Sequence, residues 1–192
     1  MHNKIIDIIL KSIDIKNDIL SNTELIDNIK STVNIIVKCF KNDGKVLFCG
    51  NGGSASDAQH LSAELSGRFY LDRKPLFAEA LHVNTSYMTA VSNDYGFEQT
   101  YSRLVDAFGK KGDILIGLST SGNSQNILNA FNKAKEKEMI TISFTGNNGG
   151  RLKNISNFNL NIPTNITPRI QESHIMLGHI ICEIIECELF KK

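Results

Sequence analysis

Two segments of the sequence share one order: a short apolar strand, a loop of small polar residues, and then a helical pattern. The first strand, 45–49, leads into Gly50-Asn51-Gly52-Gly53-Ser54, and the second, 114–118, leads into Ser119-Thr120-Ser121-Gly122-Asn123-Ser124. Strands that alternate with helices pair in parallel through right-handed crossovers. This order therefore predicts an α/β fold: a three-layer sandwich with a mostly parallel five-stranded sheet flanked by helices.

The other elements are predicted from hydrophobic periodicity. Three further strands are expected over 77–81, 140–144 and 158–162, and helices over 3–20, 25–40, 56–69, 95–108, 127–138 and 168–190. Residues 85–91 fit either a strand or a helix. At the start of the second helix, Ser21 and Glu24 fit a capping box, in which each side chain bonds the other residue's amide. We interpret residues 1–192 as a single domain.

The isoleucines are concentrated towards the two ends of the chain, and none lies between Ile36 and Ile114. The helices predicted over about 3–41 carry more apolar surface than packing on one sheet requires. We therefore expect these N-terminal helices to pack against other helices or other subunits, and the middle of the chain to hold the chemistry.

Composition limits the class of protein. Lys plus Arg is 21 and Asp plus Glu is 20, a formal charge of +1, which argues against a dedicated nucleic-acid binder. No apolar stretch reaches the ~20 residues that span a bilayer. The N-terminal apolar stretch is interrupted by charged residues, unlike a signal peptide, and the four cysteines show no CxxC spacing. We expect a cytoplasmic protein with reduced thiols, bound to neither membrane nor nucleic acid.

The two polar loops are candidates for phosphate binding. In open parallel sheets, ligands bind beyond the carboxyl ends of the strands, where helix N-termini present free amides to anions. Four hydroxyls of the second loop could surround a phosphate: Ser119, Thr120, Ser121 and Ser124. A turn followed by a helix cap explains the same residues equally well. Neither loop matches a dinucleotide fingerprint or a Walker A motif.

Two helical pairs are candidates for metal or acid–base chemistry. His60 and Glu64 are four residues apart, so they share one helix face. Gln171 and His179 are eight apart, or about 80° around the axis, and can border one site. A surface His–Glu contact and a core histidine are the alternative explanations. His174 is expected to point elsewhere.

Taken together, these motifs resemble the sugar isomerase (SIS) family and, within it, the phosphoheptose isomerases. The resemblance runs from about residue 20 to the C-terminus, and its matching segments are 49–54, 57–64, 67–68, 93–96, 112–124, 145–146 and 169–179. It implies a homotetramer that interconverts sedoheptulose 7-phosphate and D-glycero-D-manno-heptose 7-phosphate, the first step of ADP-heptose biosynthesis.

The resemblance also implies roles for individual residues. Glu64 and His179 match the family's acid–base pair. One zinc ion per subunit is implied at His60, Glu64, Gln171 and His179. The substrate-binding positions that match are Asn51, Gly52, Gly53, Ser54, Arg68, Asn93, Asp94, Ser119, Thr120, Ser121, Ser124 and Gln171. Without the resemblance, Arg68 is either an ordinary helix-end cation or an anion contact. Asn93-Asp94 is either a turn or a pair for sugar hydroxyls.

The sequence departs from the family pattern at two places. Residues 73–80 differ from the usual segment and put Glu79 in a strand, and Pro168 stands where some members have Asp. Two other functions fit the same fold: a non-catalytic SIS protein that binds a phosphosugar or a replication initiator, and an isomerase for a hexose or pentose phosphate. Non-catalytic relatives can lose the residues equivalent to Glu64 and His179, and both are present here.

Overall fold

The sheet of the computed structural model, which describes residues 1–191, has five strands that pair only in parallel. They are β1 (Val46–Gly50), β2 (Ala78–Ala80), β3 (Ile114–Ser119), β4 (Ile140–Gly146) and β5 (Phe158–Ile162), in the order β2-β1-β3-β4-β5. The predicted α/β class is confirmed. The order reverses direction between β1 and β3, so their carboxyl ends form the crevice where ligands bind in such sheets.

Helices cover both faces of this sheet. They are α1 (His2–Ser21), α2 (Thr23–Lys41), α3 (Gly53–Ser66), α4 (Thr85–Tyr95), α5 (Thr100–Phe108), α6 (Gln125–Glu136), α7 (Gly150–Lys153) and α8 (Thr167–Phe190), with a 3₁₀ turn at Phe97–Gln99. Alternate residues of each strand point to opposite faces. Val46 and Phe48 therefore join one buried cluster with α2, α3 and α8, whereas Leu47 and Cys49 join a second with α5 and α6.

Three local predictions were wrong. The capping box fails because α1 extends through Ser21, whose hydroxyl donates to the Asp18 carbonyl, and the side chain of Asn22 caps α2 instead. Helix α3 begins at Gly53 rather than Ser56, and the helix predicted over 95–108 begins only at Thr100, after the 3₁₀ turn. Residues 85–91, which the sequence left open, belong to helix α4. The short helix α7 was not predicted.

The surface of α1 is unusually apolar. Its exposed side chains include those of Ile5, Ile6, Ile8, Ile9, Leu10 and Ile13. Beside them, α1, α2 and α8 line an apolar groove of about 620 Å³. Within residues 1–191, no helix is long and apolar enough to span a membrane.

Candidate active site

The loop after β1 is a tight turn that opens directly into α3. Gly52 has φ +56°, a backbone conformation that favours glycine, and nothing lies within 4 Å of where its Cβ would be. A Cβ at Gly53 would lie 2.5 Å from Gln171 Nε2, so any side chain there would displace the Gln171 amide. The first turn of α3 thus faces the start of α8, and its free amides lie beside the Gln171 side chain.

The loop after β3 brings its hydroxyls together at the neighbouring strand end. Ser119 Oγ lies 3.1 Å from Ser124 Oγ, and Ser124 is the N-cap of α6. Gly122 has φ +65°, and its Cα packs against the backbone of Gly149, leaving no room for a side chain. Thr120 is half-buried and Ser121 is exposed. Ser119 and Ser124, two members of the predicted hydroxyl set, are thus in contact where β3 ends.

Helices α3 and α8 bring three potential metal ligands into one cluster. His60 Nε2 lies 2.9 Å from His179 Nε2 and 3.2 Å from Glu64 Oε1. The donor atoms of these three residues all lie within 4.8 Å of one another. The predicted meeting of His60, Glu64 and His179 is thus present in the structure, although His60 and His179 are 119 residues apart in sequence.

This donor set fits a zinc ion. Ligands about 2.0–2.1 Å from a tetrahedral zinc lie roughly 3.3 Å apart, close to the separations observed. Imidazole nitrogens and a carboxylate are ligands that zinc prefers. Gln171, whose amide lies against Gly53 two turns before His179, is the remaining candidate. The close approach of the helices depends on Gly178, since a Cβ there would lie 2.5 Å from Leu61 Cδ1.

Asp57 is a polar residue of this region to which the sequence analysis gave no role of its own. Its Oδ2 is buried without a hydrogen-bond partner. Burial raises the pKa of the Asp57 carboxyl, and the nearby His60 and His179 oppose that shift. A buried carboxylate oxygen beside two imidazoles is suited to orient one of their ring N–H groups.

The unusual segment after α3 is tied to α8 by a buried ion pair. Glu186 accepts hydrogen bonds from the amides of Phe69, Tyr70 and Leu71 and from Arg73 Nε, the last at 3.0 Å. Burial raises the pKa of Glu186, but these hydrogen bonds outweigh it and lower the pKa overall. Arg73 Nη2 also donates to the Glu64 carbonyl at 2.9 Å. This network joins the end of α3 to α8, and it places the Phe69 ring 6.0 Å from that of His179.

Four of the remaining predicted site residues are not part of the metal-ligand cluster. Arg68, Asn93 and Asp94 are exposed, and the last two bond each other in the final turn of α4 (2.9 Å). Ser54 is buried, 3% exposed, in the first turn of α3. Within residues 1–191, no hydrogen bond joins these four to the His60 cluster. His174 points away as predicted, with its Nε2 3.1 Å from the Thr145 carbonyl oxygen.

The chain resembles known proteins over nearly its whole length. Residues 13–146 match the model of the SIS domain. A phosphoheptose isomerase of Clostridium acetobutylicum is 53% identical over 182 residues, covering 95% of this chain and 93% of that protein. One of Helicobacter pylori is 48% identical over 180 residues, covering 90% and 94%.

Solved structures agree with the sequence comparisons. The phosphoheptose isomerase of Neisseria gonorrhoeae superposes with a TM-score of 0.91 at 40% identity, covering 96% of this chain and 98% of that one. That of Francisella tularensis gives 0.91 at 39% identity, covering 95% and 96%. The protein belongs to the SIS-domain family and, within it, to the phosphoheptose isomerases.

Proposed function

We propose that this protein is an aldose–ketose isomerase that converts sedoheptulose 7-phosphate to D-glycero-D-manno-heptose 7-phosphate, the first step of ADP-heptose biosynthesis, in the cytoplasm. One observation carries the proposal: His60, Glu64 and His179 form one cluster on α3 and α8, and α3 begins in the phosphate-type loop after β1. Family membership supplies the substrate class. A protein that only binds phosphosugars has no need for this donor set.

The reaction moves a proton between C1 and C2 through an enediolate. Glu64 is suited to take and return the carbon-bound proton, because its half-buried carboxylate faces the cluster. His179 is suited to move a proton between the two oxygens. When bound by His60, Glu64, Gln171 and His179, zinc would supply Lewis-acid polarisation of the substrate oxygens.

The phosphate end of the substrate requires no basic cluster. Hydroxyls of Ser119, Thr120, Ser121 and Ser124 and the amides at the start of α3 and α6 are neutral donors in the two loops that follow β1 and β3. This agrees with a chain whose net charge is only +1.

We also propose a homotetramer. The exposed isoleucines of α1 and the adjoining apolar groove form the kind of apolar surface that marks a contact with another protein chain. Light scattering coupled to size-exclusion chromatography measures the assembly directly. Replacing Ile9 and Ile13 by glutamate is expected to shift the assembly to smaller species. Replacing Lys11 by glutamate is expected to leave the assembly intact.

Incubation with sedoheptulose 7-phosphate, followed by product analysis, tests the reaction. We expect aldose phosphate with the zinc-loaded protein, little after chelation, and recovery when zinc is restored. Glu64→Gln is expected to lose turnover while Glu136→Gln, on the outer helix α6, keeps it. Absence of product under every condition would overturn the isomerase proposal, and retained binding of the sugar phosphate would then favour a binding protein.

A further inference from the structure

A predicted substrate-binding residue, Asn51, pairs with a residue outside the predicted site, Asn126, and the pair connects the two loops. Asn51 Nδ2 donates to Asn126 Oδ1 at 2.9 Å, and Asn126 Nδ2 donates back to Asn51 Oδ1 at 2.9 Å. The two amides thus form a closed ring of two hydrogen bonds. Asn51 belongs to the loop after β1, and Asn126 belongs to the first turn of α6, directly after the loop that follows β3.

From this geometry we propose that Asn126 is a positioning residue, which fixes Asn51 and so holds the two phosphate-binding loops in register. The inference deepens the proposed function and rests on it. Asn126 is only 3% exposed, so substrate does not reach it. Its effect on the ligand must pass through Asn51.

The hydrogen bonds of Asn126 explain why this position requires an amide. Oδ1 accepts from both Asn51 Nδ2 and the amide of Ile127, the latter at 3.0 Å, while Nδ2 supplies the donor that Asn51 Oδ1 accepts. Aspartate would keep the acceptor and lose the donor, which places two oxygens face to face. Alanine would leave the half-buried Asn51 amide without its partner, a costly arrangement away from water.

The Asn51 side chain anchors the loop after β1. Because its amide is already paired to Asn126, this side chain acts first as an anchor. The loop also depends on Tyr101, whose hydroxyl donates to the Gly50 carbonyl. Anchors at Gly50 and Asn51 hold the turn in which Gly52 adopts φ +56°, and this turn presents the first amides of α3 to the phosphate.

A phosphate contact is made equally in the ground state and the transition state. Loosening it should therefore raise KM and leave kcat nearly unchanged. We expect Asn126→Ala to raise KM for sedoheptulose 7-phosphate by about three- to tenfold, the effect of one hydrogen-bonded pair. Zinc content should stay at the wild-type level, since His60, Glu64 and His179 are not touched. A role in stability alone would lower the active fraction and leave KM unchanged.

The experiment compares Asn126→Ala and Asn126→Asp with Asn129→Ala. Asn129 lies one turn further along α6, donates to the Glu98 carbonyl at 3.0 Å and accepts from Gln125 Nε2 at 2.7 Å, and neither bond involves Asn51. Two readouts are taken: kcat and KM, and the dissociation constant of inorganic phosphate from its thermal protection. Both Asn126 variants should bind phosphate more weakly than the wild type, and Asn129→Ala should match it.

A double-mutant cycle completes the test. In the Asn51→Ala background, Asn126→Ala should have little further effect, because the partner through which it acts is gone. Additive losses, or unchanged phosphate affinity in both Asn126 variants, would overturn the inference, as would a wild-type protein that phosphate does not protect. The phosphate readout needs no turnover, so an inactive protein whose Asn126 variants still lose phosphate contradicts the isomerase proposal alone.

Discussion

Replacing Gly178 by alanine tests whether the approach of two helices builds the metal cluster. The new Cβ would lie 2.5 Å from Leu61 Cδ1 and 2.6 Å from Leu61 Cδ2. Carbon atoms pack at about 3.5–4.0 Å, so α3 and α8 must separate, or Leu61 must move, by roughly 1 Å. Leu61 is 2% exposed and has little space to move into. His60 precedes it on α3, and His179 follows Gly178 on α8.

The expected effect on function exceeds the effect on stability. Overpacking a core costs about 1–3 kcal/mol, and the Gly-to-Ala gain in helix propensity of about 1 kcal/mol offsets part of it. The free energy of unfolding should therefore fall by only about 0–2 kcal/mol. A displacement of about 1 Å between catalytic groups can lower the rate about 100-fold. We expect Gly178→Ala to weaken zinc binding and to lower kcat by one to two orders of magnitude.

Zinc affinity by competition with a fluorescent chelator, together with kcat and urea unfolding, measures these effects. The control is the double variant Gly178→Ala with Leu61→Ala, which removes the atoms that the new Cβ meets. It should recover zinc affinity even though Leu61→Ala alone costs about 2–5 kcal/mol of stability. Wild-type zinc affinity and turnover in Gly178→Ala would refute the claim that this glycine sets the geometry of the cluster.

Three further predictions concern other parts of the molecule. Glu64→Gln should lose at least about 100-fold in kcat, by the usual contribution of a general base, with KM measured alongside. Glu186→Leu leaves the buried Arg73 cation unpaired and should lower the free energy of unfolding by about 3–5 kcal/mol, measured with urea. Burial lowers the pKa of His174 to about 4, so the unfolded chain takes up its proton first as the pH falls below 6.5. In metal-free protein, stability should therefore drop by about 2 kcal/mol between pH 7 and pH 5, and this share of the loss should vanish in His174→Asn.

The sheet was predictable from sequence because it depends on local spacing, whereas the cluster was predicted because the family resemblance joined two helical pairs that spacing alone left separate. The apolar run before each loop identified β1 and β3, and the four-residue spacing of His60 and Glu64 placed them on one face. Local spacing says nothing about contacts across the fold. The pairing of Asn51 with Asn126 spans 75 residues, and no pattern in either segment marks it.

The errors at helix ends have a related cause. Ser21 has the residue type of a cap, but α1 continues through it, and Asn22 is the residue that breaks the helix. At α3, the helix begins three residues early because Gly52 makes the whole turn by itself with φ +56°. In both cases the backbone geometry of one residue decided where the helix begins or ends. Several neighbouring residues had side chains suitable for a helix cap, so residue type alone could not locate the boundary.

In the proposed reaction, helix α3 contacts both ends of the substrate. Its first residue, Gly53, belongs to the loop that receives the phosphate, and His60 follows seven residues later in the metal cluster. At 1.5 Å per residue, these positions are about 10 Å apart along the axis. A helix does not shorten to suit its ligand, so a shorter sugar phosphate held by its phosphate keeps its carbonyl further from His60. In the proposed reaction, selection for a seven-carbon chain therefore follows from a distance fixed along one helix. A change in the position of α3 should weaken this selection far more than substitutions of individual contact residues.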